Sequence, residues 1–391
     1  MAIEVKDRIY LDNSATTALS AGVKEAMTAA MEIYGNPSSL HTAGDEAHRL
    51  LNTAREQLYA AVGVRQAEGW RAVFTASGSE ANNLAILGAA RAKKHFSSKR
   101  ILTTDSEHPS VARAVEALTR EGFEAVYIST RGGALDMVQL RNEAMKGVFL
   151  ASFMLVNNET GALYDIDAAT RAIRAVCPDA LIHCDAVQGF LRQGLPRVSC
   201  GIDMISVSAH KIHGPKGVGA LIISPTAIKR RALTPVIYGG GQEEGLRSGT
   251  ENLVGIAGFA KAVTEGRLAL VPNADKLRRL YSYAVERLSE LGVVLNVPER
   301  HVDHIISITV PNIKSQTMLN FLSARGICVS SGSACSSHDK KLSAALRAFG
   351  LDDKAADSTI RVSLCPENTA EDIDALVAAL ADGMRSLVKI K

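Results

Sequence analysis

The sequence lacks the features of membrane and nucleic-acid-binding proteins. No stretch of the 391-residue chain approaches the ~20 consecutive apolar residues that a membrane-spanning helix needs. The N-terminus has no basic region followed by an apolar one, so we expect no signal peptide and no membrane association. The net charge of +3 is nearly neutral for this length, and no basic run with interleaved aromatics occurs. We therefore expect no direct binding of nucleic acid.

Paired cysteines are also missing. The six cysteines, at positions 177, 184, 200, 328, 335 and 365, form no CxxC pair and no metal-ligand spacing. Cys184 and Cys328 lie in apolar, strand-like runs, which is typical of thiols that act as small hydrophobic side chains. We expect no metal site and a reduced, cytoplasmic setting.

The composition that remains is that of an ordinary globular protein. Apolar residues make up 47% of the chain and charged residues 22%. No internal repeat or low-complexity segment is present. The length exceeds the size at which one hydrophobic core usually stops growing, so we expect about two domains.

Strand-like and helix-like segments alternate through the first part of the chain. The predicted strands cover residues 72–75, 101–104, 124–128, 147–156, 180–184, 203–207 and 219–223. The predicted helices cover residues 43–62, 79–94, 110–120, 136–143 and 165–176. This alternation predicts an α/β fold in which a mostly parallel sheet is covered on both faces.

The order of elements changes after residue 251. A long helical stretch, 252–291, is followed by short strands at 305–310, 329–331 and 359–362. Helices at 315–325, 340–348 and 370–386 are interspersed with them. This pattern predicts a smaller α+β domain that is tightly joined to the first.

Residues 203–219 place one lysine, Lys211, between an apolar strand and a glycine-rich turn. Open α/β sheets bind their ligands at the carboxyl ends of strands. A lysine there can form a Schiff base with a carbonyl cofactor. A solvent-exposed lysine beside a turn is the alternative.

Four further strand ends carry polar residues. Ser77, Gly78 and Ser79 begin a helix, where backbone N–H groups can bind phosphate or simply be capped. Asp185 ends another strand and could face a cationic ring nitrogen or cap the next helix. The last two ends present His108, a possible ring-stacking group or a loop histidine, and the amides around Asn158, which could hold a ligand or form a turn.

Taken together, these five strand ends favour one site. A Schiff-base lysine, an acid for a pyridinium nitrogen, a stacking group and a phosphate cradle are what pyridoxal 5'-phosphate (PLP) requires. Because parallel strands end at the same edge of a sheet, we expect these groups to converge.

Five motifs carry a resemblance to a known family. They are residues 10–17 (YLDNSATT), 35–41 (GNPSSLH), 208–211 (SAHK), 239–250 (GGGQEEGLRSGT) and 330–335 (SSGSAC). They resemble the cysteine desulfurases of the NifS/IscS-like branch, which are fold-type-I, class V aminotransferase-like PLP enzymes. The resemblance runs from about residue 9 to about residue 380.

The resemblance implies a PLP-dependent transferase of fold type I. Its large PLP-binding domain would cover residues 13–262 and contain the mostly parallel seven-stranded sheet. Residues 1–12 and 263–391 would form the small α+β domain, which carries a cysteine loop at about 326–340.

The resemblance also assigns roles to residues of this sequence. Catalysis would fall to Cys335, Lys211 and His108: Lys211 binds PLP covalently and moves the substrate α-proton, and Cys335 takes the sulfur of L-cysteine as a persulfide and leaves L-alanine. The substrate carboxylate would bind Arg361, assisted by Asn158 and Asn36. PLP would be held by Lys211, Asp185, Gln188, His108, Gly78, Ser79, Ser208, His210, Asn158 and, from the second subunit of a homodimer, Thr250.

The family's role in sulfur mobilisation implies a sulfur-acceptor protein as partner, in iron–sulfur cluster assembly or in tRNA or cofactor sulfuration. Two alternatives remain: a selenocysteine lyase or other PLP-dependent amino-acid lyase, and a non-catalytic sulfur-relay partner. One departure from the family is the LCPE run at 364–367, where we expect Cys365 to be structural. A nicotinamide enzyme is disfavoured, because the glycine-rich turn follows Lys211 late in the sheet and not the first strand.

Overall fold

A computed structural model of the protein describes residues 8–92, 98–332 and 342–388. Its strands are β1 (Ile9–Tyr10), β2 (Arg71–Thr75), β3 (Arg100–Thr104), β4 (Glu124–Ile128), β5 (Leu150–Met154), β6 (Leu181–Asp185), β7 (Met204–Ser208), β8 (Gly219–Ile223), β9 (Val294–Leu295), β10 (Ile305–Thr309), β11 (Ile327–Cys328) and β12 (Thr359–Ser363). Its helices are α1 (Ala21–Ala30), α2 (Thr42–Val62), α3 (Gly78–Arg91), α4 (Pro109–Arg120), α5 (Met137–Ala144), α6 (Ile166–Val176), α7 (Pro225–Lys229), α8 (Leu253–Ser289), α9 (Ser315–Ser323), α10 (Ala344–Phe349), α11 (Asp353–Asp357) and α12 (Ala370–Ser386).

The largest sheet has seven strands in the order β2-β8-β7-β6-β5-β3-β4. The ladders from β7 to β4 are parallel, and β8 pairs antiparallel with both β2 and β7. The prediction of a mostly parallel seven-stranded sheet is therefore confirmed. Each predicted strand of this region is present, although the strand predicted at 147–156 is shorter because Val156 leaves the ladder and bridges Leu163.

Helices pack on both faces of this sheet because successive strand residues point to opposite sides. In β6, Leu181 faces the core formed with α3 and α4, whereas Ile182 and Cys184 face the core that includes α2 and α6. Burial on both faces explains why the strands read as continuous apolar runs.

A second, three-stranded sheet has the antiparallel order β12-β10-β9. Its core also contains residues of α9 and α12 and Leu11, which follows the short parallel pair of β1 with β11. The long helix α8 contributes Phe259 to the first core and Leu280 and Leu288 to the second. The proposed domain boundary at 262/263 falls inside this helix and stays a prediction.

Several short elements differ from the predictions. The strand predicted at 329–331 lies at Ile327–Cys328 instead, because Ser330 exchanges backbone hydrogen bonds with Arg361 of β12. The last predicted helix before α11 is confined to Ala344–Phe349 in the described residues, where the Ser343 side chain caps its start. Helices α1, α7 and α11 and the strands β1 and β9 were not predicted.

None of the helices in the described part of the chain combines the length and the apolarity needed to cross a membrane.

Candidate active site

One cleft brings together most of the predicted site residues. It lies beside the carboxyl ends of β2, β3, β5, β6 and β7, as expected for an open α/β sheet. Ten predicted residues line it: Gly78, Ser79, His108, Asn158, Asp185, Gln188, Ser208, His210, Lys211 and Arg361. Other lining residues are Ser14, Ala15, Ser77, Asn82, Ser110, Met154, Val156 and Val187.

Lys211 ends a short 3-10 turn that follows directly after β7. Its Nζ donates hydrogen bonds to the carbonyl oxygens of Ser14 (2.5 Å) and Ala15 (3.0 Å). Both carbonyls belong to the segment after β1, so the amine is oriented by a part of the chain almost two hundred residues away. The alternative of an exposed lysine is thereby wrong.

Asp185 is the last residue of β6 and is only 6% exposed. Its Oδ1 accepts a hydrogen bond from the Val187 N–H (3.0 Å), and its Oδ2 accepts one from Asn82 Nδ2 (2.7 Å). A buried carboxyl group needs hydrogen-bond partners, and Asp185 has both of these. The geometry therefore places an acidic side chain, held by two donors, in the lining of the cleft.

His108 is the N-cap of α4 and also lines the cleft. Its Nδ1 accepts the Ser110 N–H (3.1 Å) and lies 2.8 Å from Ser110 Oγ. Burial lowers the pKa of His108, the nearby charge of Asp185 opposes this, and Lys211 lowers it further. The ring is therefore neutral at pH 7, and because Nδ1 accepts, its proton resides on Nε2.

A group of donors gathers at the N-terminus of α3. Ser77 caps this helix, and a Cβ added to Gly78 would lie 2.6 Å from Val187 Cγ2, so only glycine fits there. Ser208 Oγ is buried and has no hydrogen-bond partner among the described residues. Burial, together with Lys211 and Lys216, lowers the pKa of His210 to about 4. The arrangement suits an anion, since free helix N–H groups and a hydroxyl donor converge.

Arg361 reaches the cleft from the middle of β12, in the second sheet, and is 2% exposed. Its Nη1 donates to the Asn158 carbonyl (2.7 Å) and its Nη2 to Asp12 Oδ1 (2.9 Å). Nε has no partner within the described part of the chain. A fixed guanidinium with an unused donor can bind a carboxylate.

Comparison with known proteins places the chain in a family. The Aminotransferase class-V family matches residues 9–376. A protein named cysteine desulfurase from Trichormus azollae is 36% identical over 96% of this chain and 92% of its own length. The cysteine desulfurase IscS of Dictyoglomus turgidum is 35% identical, over 95% of this chain and 93% of the relative. The chain belongs to the cysteine desulfurases of the class-V aminotransferases.

Solved structures agree with this family. A NifS-like protein superposes with a TM-score of 0.89 at 34% identity, covering 97% of this chain and 100% of the other. A NifS-like protein from Rickettsia africae gives a TM-score of 0.87 at 31% identity, with 97% and 100% coverage. The predicted resemblance to the NifS/IscS-like branch and the predicted PLP-dependent fold are confirmed, and this cysteine desulfurase homologue is a PLP-dependent enzyme.

The cleft of this desulfurase homologue fits PLP by the chemistry of its own residues. Five residues that line the cleft carry a buried polar atom without a partner among the described residues, and Ser208 Oγ and Gln188 Oε1 are two of these atoms. Gln188 is held in place because its Nε2 donates to the Ser14 carbonyl (2.8 Å). Polar atoms buried without partners are costly, so a ligand that satisfies them is the expected complement.

Among the described residues, two predicted site residues do not line the cleft. Asn36 is exposed, and its side-chain oxygen accepts a hydrogen bond from the Ser38 N–H (2.9 Å). Thr250 is exposed and lines a separate cavity with Arg247 and Glu251. Cys335 lies outside the described residues, which break off between 332 and 342.

Two of the cysteines expected to be inert, Cys184 and Cys365, fit that expectation. Cys184 is buried, and burial raises the pKa of its thiol well above the usual value. Burial is the main cause, and the neighbouring Glu367 the second, of a pKa of Cys365 that is raised to about 12. A thiol with so high a pKa holds very little thiolate at pH 7, which supports a structural Cys365.

Three polar residues of this site were not predicted from the sequence. Asn82 and Asp12 hold Asp185 and Arg361, and Glu107 lies buried next to His108. For Asn82, an amide on a helix face otherwise made of Ala81, Leu84 and similar residues was the available signal. Asp12 was visible in the YLDNSATT motif, but only the fold brings it to Arg361.

Proposed function

We propose that this chain is a PLP-dependent L-cysteine desulfurase, which moves the sulfur of L-cysteine to Cys335 as a persulfide and releases L-alanine. The observation that carries the proposal is that Lys211, Asp185 and Arg361 line one cleft although they come from different elements. A lysine for an aldehyde, an acid for a ring nitrogen and a guanidinium for a carboxylate are the groups that this amino-acid chemistry requires. The relatives' name, cysteine desulfurase, supplies the substrate.

Bound PLP supplies an electron sink for the substrate's α-carbon. Lys211 would hold the cofactor covalently, and Asp185 would face its ring nitrogen. His108 would stack on the ring, while Gln188 and Asn158 would reach its phenolic oxygen. The phosphate would be held at the N-terminus of α3 by Gly78 and Ser79, together with Ser208 and His210.

Arg361 binds the substrate carboxylate in this proposal. Asp12 and the Asn158 carbonyl occupy Nη2 and Nη1 and fix the plane of the guanidinium. Nε has no hydrogen-bond partner among the described residues and remains as an unused donor. Asn158 lines the same cleft and could assist through its side-chain amide. A guanidinium held on two sides loses less conformational entropy when it binds.

Lys211 moves the α-proton at Nζ. In this structure Nζ is held by the carbonyl oxygens of Ser14 and Ala15. These two acceptors can retain the amine once it is released from the cofactor. An amine that lines the cleft in this way would act as the general base and acid that takes and returns the proton.

Cys335 receives the sulfur. Its thiolate attacks the sulfur of the bound substrate, an S–S bond forms and the C–S bond breaks. The electron pair of the C–S bond passes to the substrate carbon, which is protonated and leaves in L-alanine. Sulfur stays on Cys335 as a persulfide, ready for transfer to an acceptor protein in iron–sulfur cluster, tRNA or cofactor sulfuration.

We also propose that the enzyme is a cytoplasmic homodimer. Exposed apolar side chains lie in or directly before the motifs at 35–41 and 239–250: Met31, Tyr34 and Leu40 at the first, Ile237 and Tyr238 at the second. Asn36 lies in the first motif and Thr250 is the last residue of the second. A partner that covers these segments would explain why neither residue completes the cleft of its own chain.

Turnover of L-cysteine tests the proposal. The purified protein with PLP and a thiol reductant should release equal amounts of L-alanine and sulfide. Cys335→Ala should abolish both products and keep the cofactor absorbance, whereas Cys365→Ala should retain activity. If Cys335→Ala forms alanine at the rate of the parent protein, Cys335 is not the residue that accepts the sulfur.

The parent protein and the same variant separate the two alternative functions. A selenocysteine lyase would process selenocysteine but not cysteine as the parent protein, and it would keep its selenocysteine activity in the Cys335→Ala protein. A sulfur-relay partner would bind no PLP and would not turn over either amino acid. The comparisons favour neither alternative, since the relatives are named for cysteine desulfurase.

A further inference from the structure

Asn82 contacts two site residues from one buried amide. It lies one turn after the start of α3 and is 1% exposed. Its Nδ2 donates to Asp185 Oδ2 (2.7 Å) and to Ser110 Oγ (2.9 Å). Its Oδ1 is buried without a hydrogen-bond partner among the described residues. The hydrogen bonds seen for this side chain therefore both go to residues that line the cleft.

The Ser110 hydroxyl links Asn82 to His108. Because Ser110 Oγ accepts from Asn82, its own hydrogen is available for His108 Nδ1, which lies 2.8 Å away. The Ser110 backbone N–H donates to the same nitrogen. The chain of contacts Asp185–Asn82–Ser110–His108 thus leaves Nδ1 as an acceptor and Nε2 as the protonated nitrogen of the neutral ring.

We infer that Asn82 is a positioning residue of the proposed PLP reaction, because one amide orients both the Asp185 carboxylate and, through Ser110, the His108 ring. Asp185 receives its two side-chain hydrogen bonds from Asn82 and from the Val187 N–H. Without Asn82, one buried carboxylate oxygen loses its donor and Ser110 is free to rotate. The inference rests on the proposed function for the identity of the cofactor.

The adjacent residue Asn83 offers a matched control. Its Nδ2 donates to the Ser79 carbonyl of the preceding turn (2.8 Å) and lies 3.4 Å from the Ser110 carbonyl. These bonds go to backbone atoms and touch neither the Asp185 carboxylate nor the His108 ring. The same Asn→Ala change at 83 therefore removes an amide from the same helix but keeps the network.

The experiment measures PLP binding to apoprotein and the absorbance of the bound cofactor as a function of pH. Asn82→Ala should weaken PLP binding by about tenfold or more and shift the pH midpoint of the absorbance change, since a charge-assisted hydrogen bond to Asp185 is lost. Asn83→Ala should bind PLP within about twofold of the parent protein, because it makes no such bond.

Asn82→Asp gives a signature that packing alone cannot produce. It keeps the side-chain shape but places a second carboxylate beside Asp185, so the two must share a proton. Its PLP affinity should therefore recover as the pH falls, relative to Asn82→Ala. The other titratable groups facing this region are His108 and Glu107 ahead of α4 and Lys211 after β7, and they are the same in each variant.

Each outcome decides the inference. Loss of PLP affinity in both Asn82 variants, with the pH-dependent recovery of Asn82→Asp, supports it. A lower melting temperature with unchanged PLP affinity and unchanged pH midpoint would show a purely stabilising side chain and overturn it. If the PLP effects are found but the parent enzyme releases no alanine from L-cysteine, the proposed function fails while the positioning role stands.

Discussion

At the scale of single residues, Glu107 holds a buried carboxyl group beside His108. Burial, aided by the charge of Asp185, raises the pKa of Glu107 to about 8, although hydrogen bonds from Thr104 and Met154 oppose the shift. Glu107 Oε1 accepts both bonds, from Thr104 Oγ1 (2.7 Å) and from the Met154 N–H (3.0 Å). A protonated Glu107 places no second negative charge near Asp185.

The raised pKa of Glu107 makes stability depend on pH. Between the unfolded pKa of about 4.3 and the folded pKa, the native state binds more protons than the unfolded state. This contribution to stability is complete below pH 4 and is lost as the pH rises through about 8. Glu107→Gln keeps an oxygen for Thr104 and Met154 but cannot ionise. The melting temperature of the variant minus that of the parent should therefore increase as the pH rises from 5 to 9.

Thermal unfolding of both proteins across that range measures the effect. Exposed Glu121→Gln is the control and should give a nearly constant difference from the parent. A constant difference for Glu107→Gln as well would mean that Glu107 is ionised in the native state.

Arg361 provides a prediction on substrate binding. Arg361→Lys keeps the charge but loses the planar fork that contacts Asp12, Asn158 and the substrate at once. We expect a loss of about 2 kcal/mol, or roughly thirtyfold in kcat/KM for L-cysteine, mostly through KM. Steady-state kinetics measures this effect, with the exposed Arg197→Lys variant as the control. An unchanged KM in Arg361→Lys would mean that Arg361 does not bind the substrate carboxylate.

The residues that sequence could identify share one property. Lys211, Asp185 and His108 follow apolar strands, so their positions at one sheet edge could be inferred from the chain alone. Asp12 and Arg361 are 349 residues apart in the sequence, and only the tertiary fold brings the segment after β1 next to β12. Asn82 faces the sheet from a helix, and its partners depend on how that helix packs.

At the scale of elements, the junction of β2 and α3 depends on Gly78. A methyl group there would meet Val187 Cγ2 at 2.6 Å and Ser208 Cβ at 3.2 Å. Gly78→Ala should push the first turn of α3 away from Ser208 and weaken PLP binding by about tenfold or more, because hydrogen bonds to charged groups are lost.

A titration of apoprotein with PLP measures this loss. Gly194→Ala is the matched control, since a Cβ at Gly194 meets no heavy atom within 4 Å. Equal PLP affinity for Gly78→Ala and the parent would mean that the phosphate does not bind at this helix end.

Element prediction succeeded for the five-residue strands of the central sheet, which alternate with helix-length amphipathic segments, and for the long helix α8. The two residues of β9 and the five residues of α7 span less than two periods of a strand and of a helix, respectively, so neither leaves a readable periodic signal. Ser330 shows the same limit, because its pairing with Arg361 is set by tertiary contacts.

At the scale of the whole molecule, the proposed homodimer makes a prediction about mixed subunits. Thr250 lies outside its own cleft, so each site would depend on the partner's Thr250. Lys211→Ala and Thr250→Ala homodimers should both lose most of their activity. A mixed dimer contains one site with intact Lys211 and intact Thr250, so subunit exchange should restore activity. No recovery in verified mixed dimers would show that Thr250 does not act across subunits.

The most direct test of the account is the fate of the sulfur atom. The protein loaded with PLP is mixed with isotopically labelled L-cysteine for a single turnover, quenched, and analysed by peptide mass spectrometry. We expect one labelled sulfur on Cys335 and one equivalent of L-alanine, with Cys365 unmodified. Alanine release with the label on another residue, or free as sulfide in the Cys335→Ala protein, would contradict it.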